Sequence, residues 1–209
     1  TSGMMVNSGQ TCSAGSRLLV PNARMAEAVA AAKAACEAVT VGNPHSDVAM
    51  GPVVSKGQWN VIQDYIQKGL DEGATLVAGG LGRPDGLQRG YFVKPTLFGG
   101  VPRDHALACE EVFGPVLAAM PFEDEADAIR LANGTDYGLL AAVWTENAGR
   151  LTRVAKSVNA GQVFMNCYGA GGGVELPFGG TKRSGHGREK GLLALEEVST
   201  TKTLVHYHG

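Results

Sequence analysis

Apolar positions along this chain of 209 residues follow two patterns, short continuous runs and longer segments with helical spacing. The runs at 18–20 and 116–120 are bounded by glycine, proline or polar residues, which is typical of buried strands. The longer segments repeat apolar side chains every three or four positions, which predicts helices that pack by one face. The predicted helices are 23–39, 56–72, 123–133, 148–158 and 188–198, and the predicted strands are 18–20, 74–78, 91–98, 116–120, 139–145, 163–165 and 202–207.

The order of these elements predicts the fold class. Strands alternate with helices over most of the chain, which favours an α/β fold with a largely parallel open sheet and helices on both faces. Within the segment 91–98, Pro95 cannot donate a ladder hydrogen bond, so we expect a sheet edge or a bulge there. Ligands of such sheets bind beyond the carboxyl ends of the strands. The segment after Met165 and the loop around Cys12 are therefore the candidate ligand-binding loops.

Two of the predicted helices begin with recognisable caps. Ser55 is followed three residues later by Gln58, which is the signature of a capping box. Asn147 stands directly before the helix 148–158, and asparagine is a preferred N-cap residue. Cys36 lies near the apolar face of the helix 23–39, so we interpret it as a packing residue.

Composition and charge narrow the classes of partner. Apolar residues make up 44% of the chain, which is enough for a hydrophobic core. The 18 basic and 20 acidic residues give a net charge of −2, which argues against nucleic acid and against an anionic membrane surface as partners. No apolar run approaches the ~20 residues that span a bilayer, and the first residues lack the pattern of a signal peptide.

The cysteines and histidines indicate reduced thiols and no metal site. The four cysteines are scattered, with no spacing typical of zinc ligands or of a disulfide framework, which favours a cytoplasmic location. His206 and His208 alternate in the predicted last strand, but two imidazoles without a third ligand make a poor metal site. The glycine-rich segment 168–187 has neither phosphate-loop nor dinucleotide-binding spacing.

One cysteine has the surroundings of a nucleophile. Cys12 lies among small and polar residues between Gly9 and Gly15, and a predicted strand follows directly, so a loop would deliver its thiol to a strand edge. A thiolate there would be a strong nucleophile near neutral pH. The residues alone leave a second interpretation open, a buried thiol that serves as a small hydrophobe, because no histidine base lies nearby in the sequence.

Four motifs, taken in order, resemble the catalytic domain of the aldehyde dehydrogenase superfamily. They are N-x-G-Q-x-C at 7–12, E-V-F-G-P-V at 111–116, Asn166, and P-F-G-G-x-K-x-S-G-x-G-R-E at 177–189. The resemblance implies that Cys12 attacks an aldehyde to give a thiohemiacetal, that hydride leaves to NAD or NADP, and that the resulting thioester is hydrolysed. It also implies that Glu111 binds the hydroxyls of the nicotinamide ribose and that Phe113 lies beside that ribose. Glu110 would then point to the opposite side and be structural.

The same resemblance assigns the substrate entrance. Asn166 and the segment 167–176 match the part of relatives that lines this entrance, with Tyr168 as the bulky wall and Phe178 closing the site from another side. The three consecutive glycines at 171–173 leave little side-chain volume, so we expect the entrance to be wide or mobile. Cys167 is interpreted as a small residue at a strand end.

The resemblance divides the chain into a catalytic domain, 1–198, and a C-terminal strand or tail, 199–209, which in relatives pairs with a neighbouring subunit to form an oligomer. Only eleven residues precede Cys12, where full-length relatives carry a dinucleotide-binding domain with the general-base glutamate and an oxyanion-binding asparagine. We therefore expect that domain and a small aldehyde as partners, and no measurable aldehyde oxidation by the isolated chain. Two other interpretations stay open, a non-catalytic structural or assembly fragment and a cofactor-independent thiol esterase.

Overall fold

The computed structural model describes residues 2–169 and 173–209, and its core is a four-stranded sheet. The strands are β1 Arg17–Pro21, β2 Thr75–Ala78, β3 Thr96–Gly99, β4 Val116–Phe122, β5 Tyr137–Gly138, β6 Leu140–Val143, β7 Gln162–Met165 and β8 Thr181–Lys182. The helices are α1 Ser2–Met5, α2 Met25–Glu37, α3 Lys56–Asp71, α4 Ala106–Cys109, α5 Glu125–Asn133, α6 Ala148–Ser157 and α7 Leu193–Glu197, with 3-10 turns at Val6–Gly9 and Asn22–Arg24. Among the helices of these two ranges, none is both long and apolar enough to cross a bilayer.

The main sheet has the strand order β1-β4-β3-β2. The pairs β1–β4 and β4–β3 are parallel, while the edge strand β2 runs antiparallel to β3 and carries a bulge between Leu76 and Ala78. The prediction of a largely parallel sheet is confirmed. The edge position expected from Pro95 is wrong, because β3 lies inside the sheet and the bulge belongs to its neighbour. Pro95 precedes the first strand residue, Thr96, so the ladder does not need its missing N–H.

Side chains of the inner strands alternate between two hydrophobic clusters, one on each face of the sheet. The first cluster holds Leu97, Leu117 and Ala119 of the strands together with Ala32 and Cys36 of α2. The second holds Phe98, Ala118 and Met120 together with Ile62 and Ile66 of α3, Leu107 of α4 and Leu131 of α5. Helices therefore cover both faces as predicted, and the packing role of Cys36 is confirmed.

The predicted strand 139–145 is shorter in the structure, where β6 covers Leu140–Val143 and a separate two-residue strand, β5, lies just before it. β5 pairs antiparallel with β8, whereas β6 pairs parallel with β7. Leu139 lies between the two strands, and the carbonyls of Gly138 and Leu139 accept the N–H groups of Gly161 (3.0 Å) and Gln162 (3.1 Å), which lead into β7. Asn147 caps α6 as predicted, its Oδ1 accepting the Arg150 N–H at 2.8 Å.

The C-terminal region differs most from the sequence prediction. Helix α7 is much shorter than 188–198, because Glu189 forms a bridge with Phe178 and because Lys190 and Gly191 have left-handed backbone, with φ of 63° and 60°. The predicted strand 202–207 is wrong for this structure, in which the segment is exposed and irregular. A strand exists only through hydrogen bonds to a second strand, and the described ranges offer this segment no such partner.

Candidate active site

Cys12 lies in a turn that enters β1. The Ala14 N–H donates to the Thr11 carbonyl at 2.9 Å, which closes the turn and places Cys12 and Ser13 at its centre. Of the four cysteines Cys12 is the exposed one, whereas Cys36 is buried and burial raises the pKa of its thiol. The Cys12 thiol is therefore accessible, which excludes the interpretation of a packing thiol.

A backbone contact joins this turn to the loop before β4. Gly9 has φ of 72°, and a Cβ at this position would overlap the backbone of Gly114. Gly114 is equally confined, since a Cβ there would lie 2.5 Å from the Ile62 side chain. The segments that carry Cys12 and Glu111 are consequently in direct contact.

The N-terminus of α3 supports both segments through two glutamine side chains. The Val54 N–H donates to Oε1 of Gln10 at 2.9 Å, which attaches the Cys12 segment to the residue before the cap. The side-chain amide of Gln58 donates to the carbonyls of Val112 (3.2 Å) and Phe113 (2.9 Å). Ser55 caps the helix by accepting the Gln58 N–H at 3.1 Å, so half of the predicted capping box forms while the Gln58 amide serves the loop instead.

Glu111, Phe113 and Glu110 are all exposed, but the Glu110 carboxylate is bonded to side chains of α3. Phe113 is 38% exposed and has φ of 53°, a conformation that is uncommon for a bulky residue. Glu110 accepts hydrogen bonds from the Tyr65 hydroxyl (2.9 Å) and from Lys68 (3.1 Å), which lower the pKa of its carboxyl. Burial and this hydrogen bond raise the pKa of Tyr65 to about 12. Glu110 is thus structural, as predicted.

Tyr168 lies against the Cys12 turn from the other side. Its hydroxyl donates to the Ser13 carbonyl, and its ring packs beside Gly3 and Gly15. Burial raises the pKa of this phenol. The missing side chain at Gly15 therefore provides room for the tyrosine.

The side-chain amide of Asn166 is hydrogen-bonded to the backbone of Thr145. Its Oδ1 accepts the Thr145 N–H at 2.9 Å and its Nδ2 donates to the Thr145 carbonyl at 3.0 Å, which joins the residue after β7 to the segment after β6. Phe178 pairs with Glu189 through two backbone hydrogen bonds of 2.7 Å. Of the predicted entrance 167–176, the structure describes residues 167–169 and 173–176, and the predictions for residues 170–172 lie outside the described residues.

Arg17 fixes the first residue of β1 beneath the site. Its guanidinium donates to the carbonyls of Leu131 (2.9 Å) and Ala132 (3.1 Å) in the last turn of α5. A cation is favourable at this end of a helix. Burial lowers the pKa of Arg17.

One open groove of about 2010 Å³ is bordered by Cys12, Glu111, Phe113, Tyr168 and Phe178, whereas Asn166 lies outside its walls. Small-molecule sites usually measure ~300–1,000 Å³, so this groove has room for more than one ligand. Within the described residues there is no group of three or more side chains that could hold a metal ion.

The groove does not lie where the general rule for parallel sheets puts it. Cys12 precedes β1 and the 111–113 loop precedes β4, so both enter their strands at the amino end. Because β1 and β4 are parallel neighbours, their amino ends lie at the same edge of the sheet and bring the two segments together. The loop that carries Tyr168 follows the carboxyl end of its strand, β7, as the rule assumes, whereas the loop that carries Cys12 does not follow a strand.

The sequence reasoning missed the supporting roles of Gln10 and Gln58. Gln10 is part of the motif that contains Cys12, so its position beside the nucleophile was a usable signal. Gln58 gave only a local signal, the capping box, while its partners Val112 and Phe113 are more than fifty residues away in sequence.

Comparison with known proteins assigns this arrangement to a family. The sequence model described as aldehyde dehydrogenase family matches residues 1–204. The chain is 45% identical over 207 residues to 3-succinoylsemialdehyde-pyridine dehydrogenase from a Pseudomonas species, and the match covers 99% of this chain and 43% of that protein.

Solved structures agree with the sequence comparison. A crystal structure of aldehyde dehydrogenase from Bartonella henselae superposes with a TM-score of 0.89 at 44% identity, over 93% of this chain and 41% of that one. A mutant of aldehyde dehydrogenase C from Pseudomonas syringae, in complex with NAD+ and octanal, gives a TM-score of 0.90 at 38% identity, over 93% and 40%. The chain thus spans about two-fifths of the length of these relatives.

Proposed function

The chain belongs to the aldehyde dehydrogenase family, and on that premise we propose that it is the catalytic part of an NAD(P)-dependent enzyme that oxidises an aldehyde to a carboxylic acid. Cys12 is the nucleophile in this proposal, and Glu111 and Phe113 hold the cofactor. The observation that carries the proposal is the contact between Gly9 and Gly114, because it brings an exposed thiol and an exposed carboxylate to one groove.

The side chains of Glu111 and Phe113 fit the nicotinamide half of a dinucleotide. A carboxylate such as Glu111 can accept hydrogen bonds from two vicinal ribose hydroxyls. The backbone carbonyl of Phe113 accepts a hydrogen bond from Gln58, and its ring offers a flat apolar surface beside that ribose. The cofactor, when bound there, supplies the acceptor for hydride. The relatives from Pseudomonas syringae and Mycobacterium tuberculosis were solved with NAD+, which supports this choice.

The covalent chemistry takes place on Cys12. Its thiolate adds to the carbonyl carbon, so that a C–S bond forms and the carbonyl π electrons become an alkoxide. Loss of hydride from this thiohemiacetal leaves a thioester on the same sulfur. Water then adds to the thioester carbonyl, the C–S bond breaks, and the carboxylic acid leaves while the thiolate is regenerated.

We assign the three proposed substrate-binding residues to different positions around the aldehyde. Phe178 borders the groove directly and is the candidate wall. Asn166 lies outside the groove and Tyr168 borders it, but the polar groups of both side chains are bonded to backbone, at Thr145 and Ser13. The aldehyde would therefore meet an apolar surface on the Phe178 side, which suits a substrate with an apolar body.

Replacement of the nucleophile tests the proposal. Cys12→Ala in the protein that contains these residues should abolish NADH formation from aldehyde and NAD+, and should remove the acyl adduct that mass spectrometry detects on the wild-type peptide. Cys109→Ala is the matched control, since the Cys109 thiol donates to the Arg103 carbonyl at 3.2 Å and should leave turnover unchanged. An acyl adduct on another cysteine would refute the assignment.

The exposed thiol also supports a second candidate, a thiol esterase that needs no cofactor. Acyl transfer from an activated ester to Cys12 requires only the nucleophile and water. Hydrolysis of p-nitrophenyl acetate without NAD+, lost in Cys12→Ala, would separate this activity from a purely structural or assembly role.

We also propose that the tail 199–209 pairs with a second copy of the chain. Its apolar side chains Leu204, Val205 and Tyr207 are 83–90% exposed, and its irregular backbone has no partner strand in the described ranges. An exposed unpaired segment of this kind can add to a sheet edge. Sedimentation at several concentrations, with and without the tail, measures this directly.

A further inference from the structure

One peptide group in the nucleophile turn is held at both of its ends. The peptide that joins Ser13 to Ala14 donates its N–H to the Thr11 carbonyl at 2.9 Å, and its carbonyl accepts the hydroxyl of Tyr168. The first bond is local to the turn, whereas the second comes from a residue 155 positions away. The hydroxyl of Tyr168 therefore sets how the turn is oriented relative to β7.

The ring of Tyr168 is confined by two glycines. A Cβ at Gly15 would lie 3.1 Å from the Tyr168 hydroxyl oxygen, and a Cβ at Gly3 would lie 3.3 Å from its Cδ1. The ring of Phe164 follows at a centroid distance of 6.1 Å, on the strand from which Tyr168 emerges. The ring fits between Gly3 and Gly15 because neither residue has a side chain. The segment that carries Cys12 therefore fixes the position of Tyr168.

From this geometry we propose that Tyr168 is a positioning residue for Cys12, holding the turn in its reactive orientation, and that its hydroxyl serves the Ser13 carbonyl and not the aldehyde. The consequence for turnover rests on the proposed function, in which Cys12 is the nucleophile. The structural part of the proposal does not, since the hydroxyl orders the Ser13–Ala14 peptide whatever the reaction is. Loss of one neutral hydrogen bond, worth ~1 kcal/mol, corresponds to a change of about five-fold in the opening equilibrium of the turn.

Tyr168→Phe is the direct test because it keeps the ring and removes only the donor. We expect hydrogen exchange of the Ala14 amide to accelerate about five-fold while core amides in β4 keep their rates. In the active protein, kcat should fall while KM for the aldehyde stays unchanged. Tyr91→Phe, which alters a tyrosine on the surface far from the turn in sequence, is the matched control and should change neither quantity.

Gly15→Ala provides a second, independent variant. The added methyl group meets the Tyr168 hydroxyl, so it should displace the same hydrogen bond and speed Ala14 exchange in the same way. The double variant should then show little more than the larger single effect, because both changes break one interaction.

Three results would overturn the proposal: unchanged Ala14 exchange in Tyr168→Phe, a change in KM with unchanged kcat, or fully additive effects in the double variant. A merely structural role would instead accelerate exchange throughout β4 and lower Tm. If the wild-type protein oxidises no aldehyde at all, the proposed function fails, and the exchange measurement still decides whether Tyr168 holds the turn.

Discussion

Gly9 and Gly114 touch through their backbones, and this contact joins the turn that carries Cys12 to the loop that carries Glu111 and Phe113. Neither position has room for a Cβ, because Gly114 lies over Gly9 on one side and against Ile62 on the other. The relative placement of nucleophile and cofactor loop thus depends on two missing side chains. It follows that the glycines of both motifs serve the assembly of the site.

Gly9→Ala should damage this contact. Its φ of 72° strains any L-residue by ~1–2 kcal/mol, and overlap of the methyl with Gly114 adds ~1–3 kcal/mol. Gly86→Ala is the matched control, since Gly86 has φ of 80° and open space around its Cβ position. We expect urea unfolding to give a lower free energy of unfolding for both variants, with the larger decrease in Gly9→Ala. Equal losses would mean that the contact with Gly114 contributes nothing.

Gln58→Met should loosen the cofactor loop. It removes the two hydrogen bonds that hold Val112 and Phe113, which should lower the free energy of unfolding by ~1–3 kcal/mol and weaken NAD+ binding. Gln67→Met on the same helix loses only a surface bond to Asp71, worth ~0.2–0.5 kcal/mol. Fluorescence titration with NADH compares the two variants. If Gln67→Met weakened NADH binding as much, the support of the loop by Gln58 would be disproved.

The sequence was sufficient to predict the secondary-structure elements whose start and end signals lie next to them in the chain. Helix α3 begins and ends within a residue of its predicted bounds, because the cap at Ser55 and the break at Gly73 are both written beside it. The prediction of a strand at 202–207 is wrong for the opposite reason, since a strand forms only with a pairing partner that is distant in the sequence. The same limit applies to Gln58 and Tyr168, whose roles depend on residues more than fifty and more than a hundred positions away.

Most of the residues that the resemblance assigned to the site border one groove, but the resemblance did not indicate what holds each of them in place. Cys12, Glu111, Phe113, Tyr168 and Phe178 border the groove, whereas Asn166, which the motif match also assigned to the site, does not. The carboxyl-end rule misplaced Cys12 because that rule describes loops that leave a strand, whereas this loop enters one. Motif spacing carries no information on that distinction.

Stability should decline in acid partly through Asp127 at the start of α5. The carboxyl is buried and accepts hydrogen bonds from the Glu123 N–H (3.1 Å), Arg130 (3.0 Å) and Arg103 (3.3 Å). The backbone donor is the main cause that lowers its pKa, and the two guanidinium groups add to it. A lowered folded-state pKa gives stability that is present above the unfolded value of ~3.9 and is lost as pH falls through the folded value.

Asp127→Asn should therefore be less stable than the wild type at pH 7 and should lose less of its remaining stability below about pH 3.9. Urea unfolding at pH 7, 4 and 3 measures the difference. Asp64→Asn, an exposed position on α3, is the control that should follow the wild type at every pH. Parallel acid profiles for Asp127→Asn and the wild type would show that Asp127 has no part in the acid transition.

The 209-residue chain by itself should be acylated but should not oxidise aldehydes. The exposed Cys12 thiol can accept an acyl group from an activated ester, which needs no second substrate. Hydride transfer needs the cofactor in a fixed position. In this chain only Glu111 and Phe113 are proposed to bind it, and they border a groove of about 2010 Å³ that is open to water. We expect mass spectrometry to show one acyl group on the Cys12 peptide and a coupled assay to show no NADH. NADH formation at the rate of a full-length relative would contradict this prediction and would mean that these residues alone hold the cofactor.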